Sequence, residues 1–232
     1  MRFIGPALLL DDTLIVSDLH LGLEDRQRTT HALFTRPEKV LETVRELIGR
    51  AAARRLVLNG DVLDDFALTH APARLEIGRV LRTLAKDHEL ALVRGNHDPM
   101  LASLRIPAPI VDSLRIGTAL VTHGDRALEE VTSVDEHSGI DTIVIGHEHP
   151  AITITDTIRT ERFKCFVVID SVETLFGTVR IIVLPSAHPD LLGTEVDSLR
   201  TPIAPGYHPD ARIIVAGDPP REFGTLSSFT SE

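Results

Sequence analysis

Five short runs of branched apolar residues, each ending on an aspartate, asparagine or histidine, constrain this chain more than any other feature. Residues 13–16 run into Asp18 and His20, residues 55–58 into Gly60-Asp61, and residues 90–93 into Gly95-Asn96-His97-Asp98. Residues 118–121 run into His123-Gly124, and residues 142–145 into Gly146-His147-Glu148-His149. Runs of this length suit strands, and apolar residues on consecutive positions require cover on both faces. A polar triplet after a glycine then places chemistry at the strand's end.

Between the runs lie segments with helical spacing. A helix opens at Pro37, with Val40, Leu41, Val44, Leu47 and Ile48 on one side and Glu42, Arg45, Glu46 and Arg50 on the other. A second helix is expected from about Pro72 to Lys86, turning Leu75, Ile77, Val80, Leu81 and Leu84 to a sheet. Strands alternating with helices point to an α/β layered fold. Residues 110–116 read as a strand or hairpin, and 126–138 as partly helical. Residues 152–155, 162–169 and 179–184 read as strands of a second sheet. From Pro185 onward, proline, glycine and serine suggest an extended surface wrap with a loose tail from about Gly224. The expected division is a main domain over residues 1–200 and a C-terminal extension over 201–232.

A formal net charge of −10 argues against a general nucleic-acid coat, because the whole-molecule field repels a polyanion. Any phosphate affinity must be local. The single cysteine, Cys165, sits in an apolar run, so no internal disulfide and no thiolate cluster can form. No apolar run approaches the ~20 residues of a membrane span, and a cytoplasmic location is expected.

Asp18, His20, Asp61, Asn96, His123, His147 and His149 are the candidate metal ligands. All offer oxygen or nitrogen, which suits manganese, iron or zinc. Seven donors exceed one ion's needs, and two ions fit if Asp61 bridges them. Two aspartates against two dications leave a site of about +2, so an acidic protein could hold a phosphate there. Taken singly, Asp18 or Asp61 could cap a helix and His123 could pack in a core. All five strand ends doing so independently would be a long coincidence.

In order, Asp18-Leu-His20, Gly60-Asp61, Gly95-Asn96-His97-Asp98, His123-Gly124 and Gly146-His147-Glu148-His149 resemble the signature motifs of calcineurin-like metallophosphoesterases. The resemblance implies a two-sheet sandwich flanked by helices in four αββα layers. It assigns Asp18, His20 and His149 to one ion, Asn96, His123 and His147 to the other, and Asp61 to both. It implies two divalent ions, manganese first, with iron, zinc, cobalt or nickel as alternatives. It also implies hydrolysis of a phosphate ester by in-line attack of a bridging hydroxide, with His97 protonating the leaving oxygen or stabilising the phosphoryl charge. An imidazolium beside dications needs a compensating carboxylate. Asp64, three residues past Asp61, is preferred over the adjacent Asp98.

Gly146-His-Glu-His-Pro-Ala151, Lys164-Cys-Phe166, Val183-Leu-Pro185 and Gly193-Thr-Glu-Val196 are similar to the prokaryotic ICC-like group, which includes members associated with DNA ligase. That group favours phosphodiesters of nucleotide or nucleic-acid type over monoesters or pyrophosphates. The competing class is a protein-binding scaffold like the retromer subunit, which has lost ligands that this chain keeps. His31, His88, His137, His188 and His208 are read as surface or packing residues, with His70 set apart because it follows the Asp61 loop.

Overall fold

A computed structural model describes residues 1–23, 37–64, 71–206 and 208–228. The first sheet contains β1 (Arg2–Ile4), β2 (Ala7–Leu10), β3 (Thr13–Val16), β4 (Arg55–Asn59), β5 (Glu89–Val93) and β6 (Ile110–Val111), in that order. The first three run antiparallel, and β3 to β6 run parallel. Helices α1 (Pro37–Ala51) and α2 (Ala71–Asp87) make the crossovers to β4 and β5.

The chain leaves this sheet at Asp112 and enters the second. That sheet is built from β7 (Ser113–Ile116), β8 (Ala119–Thr122), β9 (Thr142–Ile145), β10 (Pro150–Thr155), β11 (Thr160–Thr174), β12 (Gly177–Val183) and β13 (Thr194–Glu195). Its order is β13-β10-β11-β12-β9-β8-β7, and β8, β9 and β12 are parallel. The segment read as one strand or hairpin over 110–116 is thus divided between the two sheets.

Alternation along the central strands explains why they are apolar throughout. Leu14 and Val16 face the helices while Ile15 faces the other sheet, and Leu56, Leu58 and Val57 repeat the arrangement. In the second sheet Val144 points between the sheets and Ile143 and Ile145 point outward. A two-sheet α/β sandwich results, as expected. Its outer layer over the second sheet is thin among the described residues: α3 (Leu128–Val131), short 3-10 turns and coil.

Two sequence expectations differ from the structure. Leu75 is 70% exposed, because it sits about 200° around α2 from Ile77, which is buried with Val80, Leu81 and Leu84. The stretch read as a surface wrap contributes strands: β14 (Arg212–Val215) pairs with β11, and β15 (Arg221–Thr225) pairs with β14. Beyond Gly224, read as loose, Leu226 is packed in the outer core. Cys165 is buried, and burial pushes its thiol pKa up.

Candidate metal centre

All five motif-bearing strands are parallel members of their sheets and finish at one edge of the sandwich. The turns after them are tight. Asp18, His20, Asp61, His147 and His149 all take positive φ, at 58°, 40°, 44°, 66° and 49°. Such backbone costs energy in non-glycine residues and persists where the surroundings fix it.

Glycines make room for the convergence. A Cβ on Gly95 would lie 2.3 Å from the Asp61 amide nitrogen, and one on Gly146 would lie 1.9 Å from Ser17 Oγ and 2.6 Å from Asp18 Oδ2. Backbone bonds then join the loops. The Asp18 N–H donates to Gly60 O at 3.2 Å and the His20 N–H to Asp61 O at 2.9 Å. The His147 N–H donates to the Asp18 carboxylate at 3.2 Å and the His97 N–H to Asp61 Oδ1 at 2.8 Å.

Three donor groups result among the described residues, one of them His20, Asp64 and His97. Asp18, His20, Asp61 and His149 each offer an atom within 4.8 Å of the others, and so do Asp61, His123 and His147. Asp61 belongs to both: Oδ2 lies 3.7 Å from His20 Nε2 and Oδ1 lies 3.3 Å from His123 Nε2. Asn96 Oδ1 joins the second group at 3.3 Å from His123 Nε2. All seven sequence-selected donors are therefore in one place.

The donor set fits cations. His20 Nε2 and His149 Nε2 face each other at 3.4 Å, where two lone pairs suit a shared dication. His123 Nδ1–H donates to Asn59 O at 3.2 Å, which turns Nε2 inward as an electron-pair donor. Burial works against a charged carboxyl on Asp18, but His149, His123 and His20 hold its pKa below the usual range. Burial likewise opposes charge on His123, yet Asp61 and Asp18 raise it to about 9. Carboxylates that favour a proton on His123 against its burial create a field that also favours dications.

Around this core the structure distributes the remaining carboxylates. Asp98 is 1% exposed and accepts from the backbone N–H groups of Gly95, Val62 and Leu63 at 3.0, 3.3 and 2.9 Å. It ties two site loops together through these bonds. Asp64, also 1% exposed, places Oδ1 3.6 Å from His20 Nδ1 and 4.0 Å from His97 Nδ1. It therefore stands beside a candidate ligand as well as beside the expected acid.

Residues that the strand-end pattern did not mark also reach the site. Ser186 Oγ–H donates to Asp18 O at 2.7 Å, and His188, read as packing or surface, is fully buried next to the site. The signal was present in the run 179–184, which ends on Pro185-Ser186-Ala187-His188 in the manner of the other five. His31 and His70 fall outside the described residues.

Residues 12–116 match the family model described as calcineurin-like phosphoesterase. The matched segment holds Asp18, His20, Asp61, Asn96 and His97, while His123, His147 and His149 lie beyond it on the second sheet. The likeness is to a family of metal-dependent hydrolases.

The Pseudomonas putida nuclease MPE shares its fold, with a TM-score of 0.65 at 20% identity over 95% of this chain and 93% of that one. YfcE, a phosphoesterase from E. coli, aligns with a TM-score of 0.45 at 17% identity over 89% of this chain and 94% of that one. No curated protein matches this chain. No helix among its described residues is long and apolar enough to cross a membrane.

Proposed function

We propose that the chain is a dinuclear phosphoesterase that hydrolyses phosphodiesters of nucleotide or nucleic-acid type. The observation that carries this reading is the position of Asp61, with one carboxylate oxygen toward each of two histidine groups. Asp18, His20, Asp61 and His149 would hold one divalent ion, manganese in the first instance, and Asp61, Asn96, His123 and His147 the other. Two such ions supply Lewis acidity, an activated water and a clamp on the phosphoryl oxygens.

The chain's own residues do the rest. Asn59 O fixes the tautomer of His123, and Asp98 fixes the loops that carry Asp61 and Asn96. His97, half-buried at the rim, hands a proton to the leaving oxygen or offsets charge on the phosphoryl group. Asp64 is its compensating carboxylate. Preference for diesters follows the resemblance of residues 146–151 and 183–196 to the ICC-like group, and a nuclease shares the fold.

The test compares a chromogenic phosphodiester, the matching monoester and a short single-stranded oligonucleotide, with manganese and with chelator. Manganese-dependent turnover, at least about ten times better for diesters in kcat/KM, is the expected result. Faster monoester turnover would reverse the substrate assignment. No turnover from protein shown to contain two ions would favour the scaffold reading.

A further inference from the structure

Two loops that carry candidate ligands of the second ion also carry an arginine: Arg94 stands two residues before Asn96, and Arg126 three residues after His123. Both side chains end on one carboxylate. Arg94 Nη1 donates to Asp112 Oδ1 at 3.1 Å, and Arg126 Nη2 donates to the same oxygen at 2.9 Å. Asp112 lies where the chain passes from one sheet to the other, and its neighbours fix its height in the sandwich. The Arg94 N–H donates to Val111 O at 2.9 Å where β6 runs parallel to β5, and Thr122 Oγ1–H donates to Asp112 O at 3.1 Å, next to His123. The three charged groups are therefore at the metal edge, one strand over from Asn96 in the first sheet and from His123 in the second.

Their exposure and chemistry suit an anion. The side chains of Arg94, Asp112 and Arg126 are 46%, 39% and 33% exposed, so a ligand can reach them. Exposed ion pairs add little to stability, which gives the fold alone little reason to gather two arginines on one carboxylate. Each guanidinium has five N–H donors in a planar fork and gives one nitrogen to Asp112. The remaining donors match the paired oxygens of a phosphate. Asp125 Oδ2, 3.8 Å from Arg126 Nε, balances the second positive charge, so the group acts through contact rather than through a long-range field. A chain of net charge −10 needs phosphate contacts of this local kind.

We propose that Arg94 and Arg126 form a subsite for a phosphate close to the scissile one, which makes the substrate a nucleic-acid strand rather than an isolated diester. The proposal rests on the phosphodiesterase reading above and names its substrate class. The two or three residues from ligand to arginine span at most about 7 to 11 Å. A stacked strand advances about 3.4 Å per phosphate, so a strand held at the metal centre meets the arginines within a few nucleotides. Asp112 turns both forks to the same point, and such a contact positions the backbone without reading a base.

The test uses p-nitrophenyl phosphodiesters, because release of nitrophenolate reports one defined bond. Thymidine p-nitrophenyl phosphate is compared with a short thymidine strand carrying the same ester at its 5′ or its 3′ end. With manganese-loaded wild type, kcat/KM should be about tenfold or more higher for the strand in one of the two orientations. In the double variant Arg94→Gln, Arg126→Gln that advantage should fall to within about threefold of unity. No advantage in the wild type, or an unchanged one in the variant, overturns the proposal. Since the variant could fold poorly, a second readout changes the substrate and leaves the protein intact: each internal phosphate is replaced in turn by an uncharged methylphosphonate. One replacement should abolish the wild-type advantage, and no effect at any linkage overturns the proposal. Absence of turnover of every ester would instead sink the hydrolase reading. Fluorescence anisotropy of the labelled strands needs no turnover and separates the two failures: weaker binding of one methylphosphonate strand supports the arginine contact, and equal binding of all of them refutes it.

Discussion

Asp61 and His97 occupy neighbouring loops yet predict different failures. Replacing Asp61 by asparagine removes a charge that both donor groups share. Metal content measured by mass spectrometry should fall, and kcat should drop by at least about 100-fold. His97 meets the shared Asp61 carboxylate through its backbone N–H, which a side-chain change leaves in place, so His97→Asn should keep its metal and lose about 10² to 10⁴ in kcat, the usual contribution of a proton donor. Lys164 makes a prediction about stability. Burial pushes its pKa down from 10.5 to about 8, so between those values the unfolded chain binds more protons than the folded one. Stability contributed at this site therefore rises as pH increases through that window. Urea unfolding of the wild type against Lys164→Met, measured across about pH 7 to 10, should show the wild type gaining up to about 3 kcal/mol relative to the variant.

At the scale of elements, the strand ends act as a set of tight turns with little slack. Gly146 has no positive φ, and its constraint is steric: an added methyl group meets Ser17 Oγ and Asp18 Oδ2 inside contact distance. Gly146→Ala should weaken manganese binding in calorimetric titration while the helical circular dichroism stays unchanged, because α1 and α2 lie across the first sheet from the turn. Helix α2 gives a paired test of its facing. Leu81, fully buried, should cost about 2–5 kcal/mol when cut to alanine. Leu75→Glu, on the far side of the same helix, should change stability by no more than about 0.5 kcal/mol in the same denaturant series.

For the molecule as a whole, the expectation is that metal and fold are linked. The donors come from both sheets: Asp18, His20, Asp61 and Asn96 from the first, His123, His147 and His149 from the second. A metal bound between them would stabilise the sandwich, by about 2.7 kcal/mol at a hundredfold excess over Kd. Chelator should lower Tm and manganese should restore it in differential scanning calorimetry. The C-terminal hairpin belongs to the same structure, since β14 covers residues 165–168 of β11 and Ile213 lies in the outer core. Truncation after residue 208 should expose the β11 edge and lower Tm or yield aggregate.

The sequence by itself determined the five strands, the first amphipathic helix and the residues that converge, because each is marked within a few consecutive positions. A run of branched apolar residues fixes a buried strand, and the polar residue that breaks it is visible beside it. Only the tertiary structure shows what each carboxylate meets. Asp98 and Asp64 are indistinguishable as letters, yet one is consumed by three backbone N–H groups and the other faces two imidazoles. His188 was hidden for the same reason. Its strand looked like the other five, but its place at the site depends on β12 pairing in parallel with β9, a contact between residues far apart in the chain that no local pattern encodes. The facing of Leu75 and the pairing of residues 212–215 were likewise set by which surface lay opposite, and that surface exists only once the sheets have formed.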